Sequence, residues 1–134
     1  MSDEARVGIV LVSHSAALAE GTAEIAGQIG GGAVVIATAG GTEDGSIGTS
    51  IAKLKRALGL ADGGAGVVIL PDLGSSVLTV RALLSESDNL PEQLAMADAP
   101  FVEGAVAATV TAAAGGDIKA VLNAAEEARH ARKL

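Results

Sequence analysis

The sequence predicts an α/β fold: a doubly wound, mainly parallel sheet of four strands in the order 2-1-3-4, flanked by helices. Two observations indicate this fold. Short apolar runs alternate with longer helix-like segments, and the runs lack the apolar–polar alternation of a half-exposed strand. Clustered glycines follow the first helix-like segment and a single glycine follows the second, at positions where helices commonly stop.

The elements can be placed in chain order. The predicted strands are Val7–Val12, Ala33–Thr38, Gly66–Leu70 and Gln93–Ala97. The predicted helices are Ala16–Ile29, Ile47–Leu58, Ser76–Ser85, Phe101–Ala114 and Ile118–Ala131. The residues expected to mark element ends are Gly30, Gly31 and Gly32 after the first helix, Gly59 after the second, Pro71 at the end of the third strand, and Asp117 as the cap of the last helix.

Composition bounds the class of protein. The 134 residues are expected to form a single domain, 1–134, and 49% of them are hydrophobic. Phe101 is the only aromatic side chain, so the core must be aliphatic, and the stacking platforms of single-stranded nucleic-acid binders are absent. A net charge of −7 argues against nucleic acid and against polybasic attachment to membranes.

Targeting signals are not evident in the sequence. The start, Met1–Arg6, is short and acidic, and no apolar run approaches the roughly 18 residues that a membrane span needs. The absence of cysteine excludes disulfides and thiol chemistry and fits a reducing compartment. We therefore expect a cytoplasmic protein without membrane insertion.

Polar residues follow the first three predicted strands, where open α/β sheets place their ligands. The first loop contains His14, the second spans residues 39–49 and is rich in glycine, and the third contains Asp72. In a sheet of order 2-1-3-4 the first and third strands are neighbours. His14 and Asp72 are therefore expected to face one crevice, which the second loop closes.

These loops suit phosphoryl transfer. A neutral imidazole is a nucleophile near pH 7, and a carboxylate at its other nitrogen fixes the tautomer. Backbone N–H groups can bind phosphate oxygens without Lys or Arg, and neither residue occurs in the three loops. The candidate phosphate-binding residues are Ser15, Gly40, Gly41, Thr42, Thr49 and Ser75, with Ser13 and Gly48 as further contributors.

Several motifs resemble those of one family, and the match extends over about Val7 to Val121. These motifs are Val-Ser-His-Ser at 12–15, Gly-Gly-Thr at 40–42, Gly-Thr-Ser at 48–50, Asp-Leu-Gly-Ser at 72–75, Ala-Pro-Phe-Val-Glu-Gly at 99–104 and Ala-Ala-Thr-Val at 107–110. They resemble the phosphotransferase subunits of PTS-dependent dihydroxyacetone kinases, whose domain is similar to enzyme IIA of the mannose-type sugar phosphotransferase system.

The resemblance implies a mechanism. His14 would accept a phosphoryl group, on Nε2, from the phosphorylated histidine-containing carrier protein HPr. It would then pass the group to ADP held on the nucleotide-binding subunit of the kinase. The resemblance also places Asp72 as the carboxylate partner of His14, puts Gly41, Thr42 and Thr49 in the lining loop, and implies a homodimer. Carrier and enzyme I domains occur in some relatives, so we expect a separate phosphoryl donor here.

Other interpretations of these residues remain open. Asp72 could cap the third helix, as could Ser75 or Ser76, and the second loop could be an ordinary connection. His130 belongs to a basic helix end, where a structural role is the simpler interpretation. No cofactor or metal is expected, because the two histidines are far apart in the chain and any Mg²⁺ would belong to the nucleotide-binding partner.

The sequence leaves three alternative functions open. A mannose-type sugar-transport component would use the same chemistry. Hydrolysis by Ser13 or Ser15 with His14 is disfavoured because adjacent residues on a turn diverge and Gly-x-Ser-x-Gly is absent. A non-catalytic nucleotide-binding or interaction module is weakened by the absence of a phosphate-loop motif and of a dinucleotide-binding fingerprint.

Overall fold

The structure is a computed structural model that describes residues 5–86 and 88–134. Most of the acidic segment Met1–Arg6, in which no targeting signal is expected, therefore lies outside the described residues. The described residues form four strands, five α-helices and one short 3₁₀ helix. The strands are β1 (Gly8–Ser13), β2 (Ile36–Gly40), β3 (Val67–Pro71) and β4 (Leu94–Met96). The helices are α1 (Ala16–Gly30), α2 (Ile51–Ala61), α3 (Gly74–Glu86), α4 (Phe101–Ala113), α5 (Ile118–Glu127) and the 3₁₀ helix Ala128–His130.

The four strands form one sheet in the order β2-β1-β3-β4, and all three ladders are parallel. In the central ladders, Ile9 of β1 pairs with Ile36 on one side and with Val68 on the other. The predicted fold class and strand order are therefore confirmed. Because the strands are parallel, their carboxyl ends meet at one edge, which we call the carboxyl edge.

Two apolar layers cover the sheet, one on each face. Ile9 and Leu11 point to the face packed by α1, α4 and α5, whereas Val10 and Val12 point to the face packed by α2 and α3. All four side chains are fully or almost fully buried, as expected of a parallel strand covered on both faces. The core is aliphatic, and Phe101 packs against it only partly buried.

The second strand begins later than predicted, at Ile36 rather than Ala33. Gly31 and Gly32 both have positive φ and turn the chain after α1. Residues 33–35 then connect this turn to the first residue of β2. Val34 is buried in the core without joining the ladder, which explains why the apolar run looked like the strand itself.

The boundaries of α2 differ from the prediction at both ends. Ile47 stays in the loop, because Gly48 has a φ of 144° and the helix starts only after Ser50. The Ser50 hydroxyl accepts the Lys53 N–H at 3.1 Å and caps the helix. Gly59 does not stop α2 as predicted but lies inside it, since the helix continues to Ala61.

Helix α3 begins two residues earlier than predicted, at Gly74. Ser75 and Ser76 therefore lie within its first turn instead of preceding it as caps. At the other end of the chain, α5 stops at Glu127, where the 3₁₀ helix takes over, so the predicted extent to Ala131 is wrong.

Several predicted boundary residues are confirmed. Gly31 is the C-cap of α1 in the left-handed conformation, and its N–H donates to the Gly27 carbonyl. Asp117 caps α5 by accepting the Ala120 N–H at 2.9 Å. Strand β3 ends at Pro71. Of the helices in the described part of the chain, none is both long enough and apolar enough to cross a membrane.

Candidate functional site

His14 and Asp72 lie side by side at the carboxyl edge. His14 directly follows β1 and Asp72 directly follows β3, and these two strands are neighbours in the sheet. The Nδ1 atom of His14 is 3.0 Å from Oδ1 of Asp72. The first and third loops therefore meet at this edge, and the imidazole and the carboxylate are in hydrogen-bond contact.

The Asp72 carboxylate accepts hydrogen bonds at both oxygens. Oδ2 accepts the Ser13 hydroxyl at 2.9 Å and the His14 N–H at 3.0 Å. Oδ1 accepts the Leu73 N–H at 2.7 Å and the Ser76 hydroxyl. Burial raises the pKa of Asp72, but the hydrogen bonds from Ser76, His14, Ser13 and Leu73 outweigh it and lower the pKa to about 2.

The state of Asp72 decides which nitrogen of His14 carries the proton. At neutral pH an ionised carboxylate only accepts hydrogen bonds, so the Nδ1 atom that faces it must be the donor. In the neutral ring Nε2 then keeps its lone pair. The Ser75 hydroxyl, 2.5 Å from Nε2, is the donor to that lone pair. The His14 side chain is 20% exposed, whereas that of Asp72 is 6% exposed, so the imidazole is the accessible member of the pair.

The second loop holds the first loop in place through its backbone. The Gly41 N–H donates to the Ser13 carbonyl at 3.0 Å, and the Gly48 N–H donates to the His14 carbonyl at 2.9 Å. Both glycines have positive φ, a conformation that directs these N–H groups at little steric cost. The two N–H groups are thus engaged within the chain, and they fix the backbone on which the imidazole stands.

Gly40 is needed for close packing between β2 and α1. A Cβ atom at Gly40 would lie 2.7 Å from the Ala16 Cα and 2.8 Å from the Ser15 carbonyl oxygen. The space beside this glycine is therefore filled by the start of α1. The Ser15 hydroxyl caps that helix by accepting the Leu18 N–H at 3.1 Å.

Thr42 and Thr49, the two threonines of the second loop, form hydrogen bonds with residues other than His14. The Thr42 hydroxyl donates to Oδ1 of Asp44 at 2.5 Å. Hydrogen bonds from Thr42 and Ser46 lower the pKa of Asp44 to about 2. The Thr49 hydroxyl lies 2.7 Å from that of Thr79 and links the second loop to α3. Phosphate binding by these loop residues and by Ser15 remains a prediction.

Two serines that sequence reasoning did not place around Asp72 complete the arrangement. Ser13 and Ser76 are both fully buried and both donate to the carboxylate. The sequence alone indicates Ser13 as a phosphate ligand and Ser76 as a helix cap. Their spacing gave a partial signal, because Ser13 adjoins His14 and Ser76 lies one helical turn after Asp72.

Two cationic side chains of α2 bond to the second loop. Lys53 donates its ammonium group to the Gly40 carbonyl at 2.8 Å, and Arg56 pairs with Glu43 at 2.8 Å. Among the residues that the structure describes, no group of three or more His, Asp or Glu side chains is arranged to hold a metal ion. The groups that meet at this edge are an oriented imidazole and a carboxylate with hydrogen-bond donors on both oxygens.

The fold and this histidine–carboxylate pair agree with a known family. A family model described as the fructose IIA component of the PTS system, EIIA-man, matches residues 8–122. The chain belongs to this EIIA-man family.

Relatives with names give a finer comparison. The chain is 35% identical to the phosphoryl donor subunit DhaM of a PEP-dependent dihydroxyacetone kinase from Providencia stuartii, over 95% of this chain but 28% of that protein. It is 34% identical to the corresponding subunit of dihydroxyacetone kinase 2 from Listeria innocua, over 87% of this chain and 94% of that protein. The chain thus spans little more than a quarter of the Providencia relative and nearly all of the Listeria one.

The fold also matches a crystal structure. The protein of unknown function EF1359 superposes with a TM-score of 0.81 at 32% identity, and the match covers 91% of this chain and 94% of that one. The resemblance to DhaM-type phosphoryl donor subunits that the motifs indicated is thereby confirmed at the level of sequence and family.

Proposed function

We propose that this chain is a phosphohistidine carrier that accepts a phosphoryl group on Nε2 of His14 and passes it on. The observation that carries the proposal is the 3.0 Å contact between Nδ1 of His14 and the Asp72 carboxylate. It directs the lone pair of the neutral ring to Nε2, on an imidazole that is 20% exposed. The membership of the chain in a family of PTS components supports the same chemistry.

The proposed donor is the phosphorylated carrier protein HPr. The lone pair of His14 Nε2 forms a bond to phosphorus while the N–P bond of the donor breaks, and that electron pair returns to the donor imidazole. The ring of His14 then carries positive charge, which the adjacent Asp72 carboxylate stabilises. No proton has to leave Nδ1 in this step, so the hydrogen bond to Asp72 persists throughout.

The proposed acceptor is ADP on the nucleotide-binding subunit of a dihydroxyacetone kinase, in keeping with the names of the relatives. An oxygen of the terminal phosphate of ADP attacks the phosphorus, and the bond to Nε2 breaks. The Asp72 hydrogen bond supports the imidazole as the leaving group. Because the proposed donor and acceptor would be cytoplasmic, the carrier would also lie in the cytoplasm. By resemblance, residues 1–134 would form one phosphocarrier domain, and two copies of the chain would form a homodimer.

The first turn of α3 is suited to the transferred group. Ser75, the second residue of this 13-residue helix, lies 2.5 Å from Nε2, so a phosphoryl group on that atom would adjoin the helix N-terminus. Helix N-termini favour anions through their unpaired N–H groups and dipole. The Ser75 hydroxyl must turn away from the lone pair as the N–P bond forms, and it can then donate to a phosphoryl oxygen.

The test is phosphorylation of the purified chain by phospho-HPr, read by intact mass. One added phosphoryl group, about 80 Da and labile to acid, is expected in the wild type and in His130→Ala, but not in His14→Ala. His130 is the matched control because it is the other histidine of the chain and its side chain is 70% exposed. Retained modification in His14→Ala would move the acceptor elsewhere.

A second candidate is a IIA component of a sugar phosphotransferase system. It is favoured by the description of the matching family as a fructose IIA component. The two candidates share the step at His14 and differ in the acceptor. Discharge of the phosphorylated chain by the ADP-loaded kinase subunit supports the first candidate, whereas discharge only by a component of a sugar phosphotransferase system supports the second.

A further inference from the structure

Two buried hydroxyl groups contact the Asp72 carboxylate and have no part in the transfer steps above. Ser13 is the last residue of β1, and its hydroxyl is 2.9 Å from Oδ2. Ser76 lies in the first turn of α3, and its hydroxyl donates to Oδ1. Both residues are fully buried, so neither hydroxyl is placed to contact an incoming partner directly.

Together with the backbone, these serines saturate the carboxylate. Oδ2 accepts from Ser13 and from the His14 N–H, while Oδ1 accepts from Ser76, the Leu73 N–H and the His14 ring. A carboxylate offers about four lone-pair positions, so every position has a donor. Rotation of the carboxylate would break several of these bonds at once, and Oδ1 is therefore held against Nδ1.

The two serines fix the carboxylate from different elements. The Ser13 oxygen also accepts the Ser15 N–H at 3.0 Å, which ties it to the start of α1. The Ser76 oxygen is 3.2 Å from Nδ1 of His14, so it stands beside both members of the pair. A buried serine hydroxyl with only a packing role could be replaced by hydrogen at little cost, whereas these two hydroxyls each bond to a charged group.

We propose that Ser13 and Ser76 are positioning residues which, by holding the Asp72 carboxylate, keep His14 in its Nδ1–H tautomer with the lone pair on Nε2. The tautomer part of this proposal rests on the geometry alone. Its consequence for transfer rests on the proposed function. Loss of both hydroxyls leaves the carboxylate held by one backbone N–H on each oxygen, from His14 and Leu73, so Oδ1 is fixed less firmly against Nδ1 and the preference for one tautomer weakens.

The test is nitrogen-15 NMR of the imidazole rings at a pH where both histidines are neutral. The chain has two histidines, so His130, which is 70% exposed and has its Nε2 atom 3.9 Å from Oε1 of Glu127, serves as a reference ring without a carboxylate partner at Nδ1 in the same sample. His14 is expected to be almost entirely Nδ1–H in the wild type. In Ser13→Ala/Ser76→Ala its ratio is expected to move toward that of His130, and phosphoryl acceptance is expected to slow by about tenfold or more.

A matched control and a rescue separate positioning from general destabilisation. Asp117→Ala removes the cap of α5 at the opposite edge of the sheet and costs about 1 kcal/mol of stability, and it should leave the His14 tautomer unchanged. Ser76→Thr keeps the hydroxyl, so it should retain the wild-type ratio that Ser76→Ala loses. If the double variant does not fold, each single alanine variant should still shift the ratio partway.

The outcomes are distinct for the two proposals. A folded double variant with the wild-type tautomer ratio would overturn the positioning role, as would folded single variants without any shift. If the wild type accepts no phosphoryl group, the proposed function fails while the tautomer measurement still decides the role of the serines. A shifted tautomer with an unchanged transfer rate would also overturn the link between positioning and transfer.

Discussion

Asp72 reaches across 58 positions of sequence to place its Oδ1 atom 3.0 Å from Nδ1 of His14. The parallel pairing of β1 with β3 makes this contact possible, because the two residues follow neighbouring strands at the same edge. A single hydrogen bond thus joins the fold to the proposed chemistry. Its removal is the most direct way to examine both.

Asp72→Asn should slow phosphoryl acceptance by about 10- to 100-fold while leaving His14 modifiable. The amide can present a donor to Nδ1, which favours the wrong tautomer, and it cannot stabilise the positive ring. The rate of mass increase with phospho-HPr is the measurement. Asp98→Asn is the control, since Asp98 follows β4 at the same edge and its side chain is 93% exposed. Equal rates in the wild type and in Asp72→Asn would leave Asp72 a purely structural residue.

Stability should fall in acid through Asp72. Its pKa of about 2 in the folded state lies below the ordinary value of 3.8, so the unfolded chain binds this proton first as the pH falls. The stabilisation from Asp72 is therefore complete above about pH 4 and is lost toward pH 2. Urea denaturation should show the wild type losing stability over this window more steeply than Asp72→Asn. Parallel curves for the two proteins would contradict this expectation.

Glycines at two positions should respond oppositely to alanine. Gly40→Ala places a Cβ atom 2.7 Å from the backbone of Ala16. This overpacking should destabilise the protein by about 1–3 kcal/mol. Gly59→Ala lies inside α2 with nothing within 4 Å and should stabilise it by about 0.5–1 kcal/mol. Thermal unfolding of both variants checks this pair. A stabilised Gly40→Ala would show that α1 moves away at no cost.

Thr109→Val should be neutral or stabilising by up to about 1 kcal/mol. Thr109 is buried in α4, and its hydroxyl is without a hydrogen-bond partner within the described residues. Valine has the same shape and removes the unsatisfied group. Thr79→Val is the comparison, because the Thr79 hydroxyl bonds to that of Thr49 at 2.7 Å, and its loss should cost about 1 kcal/mol. Denaturant midpoints distinguish the two; a destabilised Thr109→Val would reveal a partner for that hydroxyl.

Leu73 should contribute to partner docking. It directly follows Asp72 at the carboxyl edge and is 63% exposed, so it is available to a docking partner of the proposed carrier. Leu73→Ala should raise the KM for phospho-HPr by about 5- to 30-fold, the range of an apolar contact worth 1–2 kcal/mol, with little change in kcat. Ile29→Ala, 59% exposed near the end of α1, is the control. A lower kcat with unchanged KM would place Leu73 in the chemistry instead.

The sequence was sufficient for the sheet and for the central pair of the site. The alternation of apolar runs and helix-like segments predicted a doubly wound, mainly parallel sheet of four strands. The order 2-1-3-4 was an added assumption, which the structure confirms, and from it followed the meeting of His14 with Asp72. Local helix signals were less reliable. Gly59 looked like a stop, but packing of the buried face of α2 carries the helix past it.

The surroundings of the pair could not be predicted from local signals. Ser76 reaches Asp72 only because α3 starts at Gly74, and a shift of two residues changes which hydroxyl faces the carboxylate. The N–H groups of Gly41 and Gly48 looked free to bind an anion, yet their positive φ turns them toward the carbonyls of Ser13 and His14. Such directions depend on tertiary geometry that residue spacing does not encode.

The aliphatic core has a consequence for observing this protein at work. Without tryptophan or tyrosine, the chain contributes almost nothing to near-ultraviolet absorbance or to intrinsic fluorescence. Any tryptophan emission from a mixture with another protein therefore originates in that other protein. The protein can therefore be added in large excess to a tryptophan-containing candidate partner, and the emission of that candidate alone reports whether the two bind.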